Sequence, residues 1–129
     1  MKILVISDIH ANLTALEAVL SSAGAFDAAW CLGDLVGYGP DPNECVERVR
    51  ALPNLICLQG NHDDAVGPFG NIAEFNDDAR AALLITRGML TAENIAYLGS
   101  LPETAERETL TLAHGSPRRP VWEYIKAPS

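Results

Sequence analysis

The sequence predicts an α/β fold built on a parallel sheet. Two observations carry this. Short apolar runs alternate with stretches of helical periodicity, and the order from the N-terminus is β-α-β-α-β, which calls for parallel strands joined by right-handed crossovers. A third observation bears on function: the strand-like runs release into clusters of Asp, Asn and His.

Residues 2–6 are rich in β-branched side chains and read as a buried strand. Leu13, Leu16 and Leu20 then share one helical face, with Val19 beside them. Asn12 is placed to cap that helix and Gly24 to stop it. Residues 28–32 form the second strand, followed by a Gly- and Pro-rich loop from Gly33 to Pro40. Asp41-Pro42-Asn43-Glu44 reads as a helix start, with an acidic N-cap, Pro at the first helical position and Glu at the capping-box position. The helix runs to about Ala51 and ends before Pro53. Residues 55–58 are the third strand. Residues 64–76, with Gly67, Pro68, Phe69, Gly70 and Phe75, read as a loop beside the site. Helices follow over 77–87 and 92–99, the second capped by Thr91 and followed by Pro102. Residues 103–107 and 109–113 are two further strands, the first polar and placed at an edge. The tail from Arg118 to Ser129 has little pattern.

The 129 residues suit one domain, 1–129, with a core of its own. Hydrophobic content of 48% and charged content of 20% are those of a globular protein. A net charge of −8 argues against nucleic acid as a non-specific partner, because such binding needs Lys and Arg to neutralise phosphates. It leaves room for a phosphate substrate, since bound metal ions invert the local field. Cys31, Cys45 and Cys57 are odd in number and form no Cys-x-x-Cys, which argues against a disulfide framework and a zinc knuckle. Cys31 and Cys57 read as small core residues, and a cytoplasmic setting is expected. No signal peptide or membrane-length apolar stretch is visible, so no membrane partner is expected. The sequence assigns no oligomeric state.

The polar clusters are Asp8-Ile9-His10, Gly33-Asp34-Leu35-Val36-Gly37, Gly60-Asn61-His62-Asp63 and His114-Gly115-Ser116-Pro117. Ligands of an open α/β sheet bind beyond the carboxyl ends of its strands, so these clusters are expected to converge there. Asp8 and His10, two apart in extended chain, would point the same way. Carboxylate, imidazole and amide donors without thiolate suit Mn, Fe, Zn, Ni or Mg. Two such ions about 3.5–4 Å apart can activate water and stabilise an in-line phosphoryl displacement. Gly33 and Gly37 would permit the tight turn that a bridging Asp34 requires.

In order and placement these four clusters resemble the first motifs of the calcineurin-like metallophosphoesterases. Gly37-Tyr38-Gly39-Pro40-Asp41-Pro42-Asn43-Glu44 and His114-Gly115-Ser116-Pro117 are similar to the small bacterial phosphodiesterase-like branch. The resemblance implies an α/β/β/α sandwich and a phosphoesterase that uses two divalent metal ions and an activated water. Asp8 and His10 would bind the first metal, Asp34 would bridge, and Asn61 and His114 would bind the second. His62 would protonate the leaving oxygen or stabilise the phosphoryl group, with Asp63 orienting it. The substrate would be a small phosphate ester. The family's later Gly-His-x-His is absent, and the C-terminal part of the second sheet is expected to be missing, as in the N-terminal portion of a longer enzyme. The alternative is a scaffold or binding module of the same fold without turnover. Outside the motifs the simpler readings are packing for Phe69 and Phe75, core or interface for Trp30 and Trp122, and solvated surface for Arg118 and Arg119.

Overall fold

A three-stranded parallel sheet with two unequal coverings organises the molecule. The computed structural model describes residues 1–126; the end of the expected domain and tail, 127–129, lies outside the described residues. The elements are β1 (Ile3–Ile6), α1 (Leu13–Ala23), β2 (Ala28–Cys31), α2 (Pro42–Arg50), β3 (Ile56–Cys57), α3 (Asn61–Val66), α4 (Asp77–Met89), α5 (Ala92–Ser100), β4 (Thr104–Arg107) and β5 (Leu110–Ala113). Strands β1, β2 and β3 are parallel, with β2 in the middle. Strands β4 and β5 form an antiparallel hairpin of their own.

Register sorts the side chains between the two faces. Ile6, Cys31 and Cys57 are aligned across the sheet, as are Val5, Trp30 and Ile56. The Ile6 row joins the main core with Leu16 and Leu20 of α1, Val46 and Val49 of α2, Leu83 of α4 and Leu98 of α5. On the other face Ile3, Trp30 and Ile56 meet Leu58, Leu112 and Ala105. Helices, parallel sheet and hairpin thus form the α/β/β layers of the expected sandwich, with two strands in the second sheet among the described residues. That sheet is too narrow to cover its face. Val5, in the same row as buried Trp30, stays 52% exposed.

Local signals act as their chemistry requires in two helices. Asn12 Oδ1 accepts from Ala15 N at 3.0 Å, and Thr91 Oγ1 accepts from Asn94 N at 3.1 Å. Each cap satisfies an amide that has no partner inside its helix. The expected capping box at Asp41 does not form. The Asp41 side chain makes no cap hydrogen bond, although Pro42 does open the helix. Asn43 takes over the local bonding, accepting from Thr91 N and Asn94 Nδ2 and donating to Met89 O, which ties α2 to the α4–α5 junction. The loop expected from residue 64 is also corrected, because α3 begins at Asn61 and carries the third polar cluster on its first turn. Among the described residues no helix is long and apolar enough to cross a membrane.

Candidate metal centre

The chain bends sharply where β1 and β2 end. Asp8, His10 and Ala11 have φ of 57°, 49° and 55°, and Asp34 and Tyr38 have 59° and 66°. Residues other than glycine rarely adopt this left-handed region. The expected extended run from Asp8 to His10 is therefore replaced by a coiled one. It persists because the two loops brace each other. Asp8 N donates to Gly33 O at 2.9 Å, His10 N to Asp34 O at 3.0 Å and Ala11 N to Leu35 O at 2.8 Å. Gly60 lets the third cluster pack against the same loop, since a Cβ there would fall 2.1 Å from Asp34 Oδ1.

Asp34 stands at the middle of the arrangement and is buried. Its Oδ1 accepts from His62 N at 3.0 Å. Its Oδ2 lies 3.6 Å from His10 Nε2 and 3.5 Å from His114 Nε2. Asp8 Oδ1 is 3.5 Å from the same His10 nitrogen, while Asp8 Oδ2 accepts from the Ser7 hydroxyl at 2.5 Å. Backbone carbonyls set the imidazoles. His10 Nδ1 donates to Val36 O and His114 Nδ1 to Leu32 O, each at 2.9 Å. A carbonyl can only accept, so in the neutral rings both Nε2 lone pairs face Asp34. Asn61 donates through Nδ2 to the Tyr124 hydroxyl at 3.0 Å, and its Oδ1 lies 3.1 Å from His114 Nε2. Two acceptors held that close call for a proton or a cation beside them.

Charge points the same way. A pocket of about 450 Å³ surrounds these atoms, and its lining includes Asp8, Asp34 and Glu123 but no Lys or Arg. Burial, reinforced by the charge of Asp8, pushes Asp34 up to about 7, against the pull of the His62 amide. An anionic pocket of this kind would repel a phosphate unless cations were bound in it. Carboxylates, imidazoles and an amide oxygen are suitable donors for divalent ions. Two groups of possible ligands, His10-Asp34-His62 and Asp8-Asp34-His114, each have their donor atoms within 4.8 Å of one another and share Asp34.

His62 is set apart from the other two histidines. Its ring is buried among His10, Tyr38 and Phe75, with centroids 4.8, 5.0 and 5.1 Å away. Burial first, then His10 and His114, lower its pKa to about 4, so the imidazole is neutral near pH 7. Its Nδ1 is buried with no hydrogen-bond partner among the described residues. Gly37, at φ +95°, makes room for it, because a Cβ there would come within 2.4 Å of that nitrogen.

Asp63 corrects an expectation. It does not orient His62. Its fully buried carboxylate accepts from the amides of Asp34 at 2.7 Å, Leu35 at 2.9 Å, Val36 at 3.3 Å and Gly60 at 3.0 Å. Burial and the Asp34 charge push Asp63 up to about 7, opposed by these N–H donors. Adjacent residues on a helix do not face each other, so His62 and Asp63 serve different surroundings. Asp63 is a clamp on the β2 loop.

Asp8, His10, Asp34, Asn61, His62 and His114 thus meet in one pocket, and Asp63 stands behind it. Sequence reasoning missed Tyr124, which reaches Asn61 because the tail folds back. Val121 N donates to His114 O at 2.6 Å, and Gly115 bridges to Pro120. The available signal was the aromatic pair Trp122 and Tyr124 shortly after the His114 cluster.

The fold and the centre together define a metallophosphoesterase-type α/β/β protein, and comparison with known proteins agrees. The chain belongs to the calcineurin-like phosphoesterase family, which matches residues 1–126. It is similar to protein MJ0912 of Methanocaldococcus jannaschii, described as uncharacterized, with 42% identity over 130 residues that cover 95% of this chain and 53% of that protein. A crystal structure of a metallophosphoesterase from Sphaerobacter thermophilus superposes with a TM-score of 0.85 at 55% identity, covering 97% of this chain and 51% of that one. A symmetrical bis(5'-nucleosyl)-tetraphosphatase of Erwinia tasmaniensis is 40% identical over 67 residues, 49% of this chain and 24% of that enzyme. The chain therefore spans about half the length of MJ0912, and a smaller share of the tetraphosphatase.

Proposed function

We propose that this chain is a metal-dependent phosphoesterase that hydrolyses a P–O bond of a small phosphate ester, a diester or a monoester. The observation that carries the reading is the convergence of His10 Nε2 and His114 Nε2 on the buried carboxylate of Asp34, with Asp8 beside His10 and Asn61 beside His114, in a pocket without Lys or Arg. In this reading Asp8 and His10 would hold one divalent ion and Asn61 and His114 a second, with Asp34 available to both. When bound, such ions supply Lewis acidity, lower the pKa of water and offset phosphoryl charge. Asp34, fixed by the His62 amide, would stand between the two half-sites. Neutral His62 hydrogen-bonds a phosphoryl or leaving-group oxygen, and its burial keeps water from that face. Asp63 holds the loop that carries Asp34. The buried free thiols of Cys31, Cys45 and Cys57 favour a reducing, cytoplasmic setting.

The test is hydrolysis of bis(p-nitrophenyl) phosphate with added Mn²⁺. Asp34→Asn should lower kcat/KM at least ~100-fold, and His62→Ala by roughly 100-fold or more. Turnover that survives both substitutions unchanged would overturn the reading. A second reading is a metal-holding scaffold without turnover. Neutral His62 favours it, because an imidazole whose pKa is lowered to about 4 carries no extra proton for a leaving oxygen near pH 7. Stoichiometric Mn²⁺ binding with no hydrolysis of any aryl phosphate would select it.

A further inference from the structure

Beside the centre lies a second groove, of about 180 Å³, lined by Asn61, Glu74, Phe75, Arg119, Trp122 and Tyr124. Asn61 and Tyr124 also line the metal pocket, so the two spaces adjoin. The groove continues past Glu74, Arg119 and Trp122 into a further hollow of about 220 Å³. We propose that this groove is a subsite for a nucleoside phosphate, with the base stacked on Trp122 and a phosphate paired with Arg119. The proposal rests on the phosphoesterase reading for the role of the neighbouring centre.

Three features define the occupant. Its walls are aromatic. Phe75 and Trp122 meet edge to face at 5.9 Å, and Tyr124 is 69% exposed although its hydroxyl is anchored by Asn61. Planar rings stack on such surfaces whatever their sequence of atoms, because every base has a π-face. Its cation is free. Arg118 is engaged with Glu123 at 2.7 Å, whereas the guanidinium of Arg119 makes no ion pair among the described residues. Arg119 is held in place by its backbone, whose amide donates to Ser116 Oγ at 3.0 Å. In a chain of net charge −8, an unpaired guanidinium next to an anionic pocket is a local attractor for phosphate. Finally, Glu74 supplies an acceptor, which suits an amino-bearing base such as adenine and disfavours an occupant that is anionic throughout.

The chain's two tryptophans make the test direct. Trp30 is buried beneath the hairpin, so quenching by a ligand reports Trp122. Tryptophan emission and calorimetry are followed as the full chain, with Mg²⁺ present, is titrated with ADP, adenosine and ribose 5-phosphate. ADP should quench saturably and bind at least tenfold more tightly than either fragment. Arg119→Ala, at an exposed position, should bring ADP to the level of adenosine. Trp122→Ala should weaken ADP at least tenfold, and Trp122→Phe should restore most of the binding by calorimetry. ADP binding no tighter than adenosine, or indifferent to Arg119→Ala, would overturn the subsite. Bis(p-nitrophenyl) phosphate assayed on the same preparation separates the two ideas. Turnover without Arg119-dependent ADP binding breaks the subsite alone. Arg119-dependent ADP binding without turnover supports the subsite and breaks the hydrolase reading.

Discussion

The two sides of the metal centre are held in different ways. Asp8, His10 and Asp34 stand on loops that bond to one another and sit over the main core, with Asp63 bracing the β2 loop from behind. His114 stands at the end of a hairpin whose inner face meets a small cluster around Trp30, Leu58 and Leu112. The first side is fixed by long-range backbone bonds and the helical core. The second is held by a narrow sheet and by the tail folding back through Val121. The contrast places Asp34 on the core side and makes the position of His114 depend on the hairpin and the returning tail.

The largest effect should come from Asp63. Asp63→Ala leaves several buried amides without an acceptor and is expected to cost about 3 kcal/mol or more in urea unfolding. Asp63→Asn, which keeps one accepting oxygen, should cost less. A loss under 1 kcal/mol for Asp63→Ala, by the same measurement, would remove the asserted difference between the two sides (about the cost of a surface change).

Next comes Leu112→Ala, with an expected cost of roughly 2–3 kcal/mol because Leu112 is buried in the small cluster. Its signature is spatial. Hydrogen exchange should quicken at β4, β5 and the Val121 amide while the amides of His10 and Ala11 keep their protection. Uniform quickening would show that hairpin and core open together, and the comparison would fail.

The difference between the sides also explains what could be read from the sequence. The strand–helix alternation was legible because Ile3–Ile6 and Ala28–Cys31 are apolar runs whose neighbours have helical periodicity. The site clusters were legible because Asp, Asn and His recur where those runs stop. Asn12 and Thr91 were legible as caps because capping is local chemistry. The role of Asp63 was not, because its partners lie nearly thirty residues away, in the β2 loop. Neighbouring His62 was the only partner sequence adjacency could suggest. Helix α3 was hidden for a related reason. It is short and polar, and Asp63 links its first turn to the β2 loop while bonding to Gly60 N. Tyr124 could not be placed because its approach to Asn61 depends on the tail reversing beyond His114, which no periodicity announces.

The smallest expected effect concerns Asp34, which both half-sites share. Its pKa is pushed up to about 7, mainly by burial and then by Asp8, so on the proposed function a proton and a metal ion would compete for this carboxylate near neutrality. The sign follows: the neutral form prevails below that pKa and must lose its proton when a metal binds. Apparent Mn²⁺ affinity should therefore fall as pH drops below about 7, by up to tenfold or ~1.4 kcal/mol per unit from this group, and should gain little from it above about 8. Calorimetry in two buffers of different ionisation enthalpy counts the protons released. Release should be substantial near pH 6 and should decline toward pH 8. His114→Ala should weaken binding but leave this proton release in place, because Asp34 is anchored from the core side through the His62 amide. If His114→Ala abolishes proton release as well, Asp34 depends on the hairpin for its environment, and the two sides of the centre are one unit rather than two.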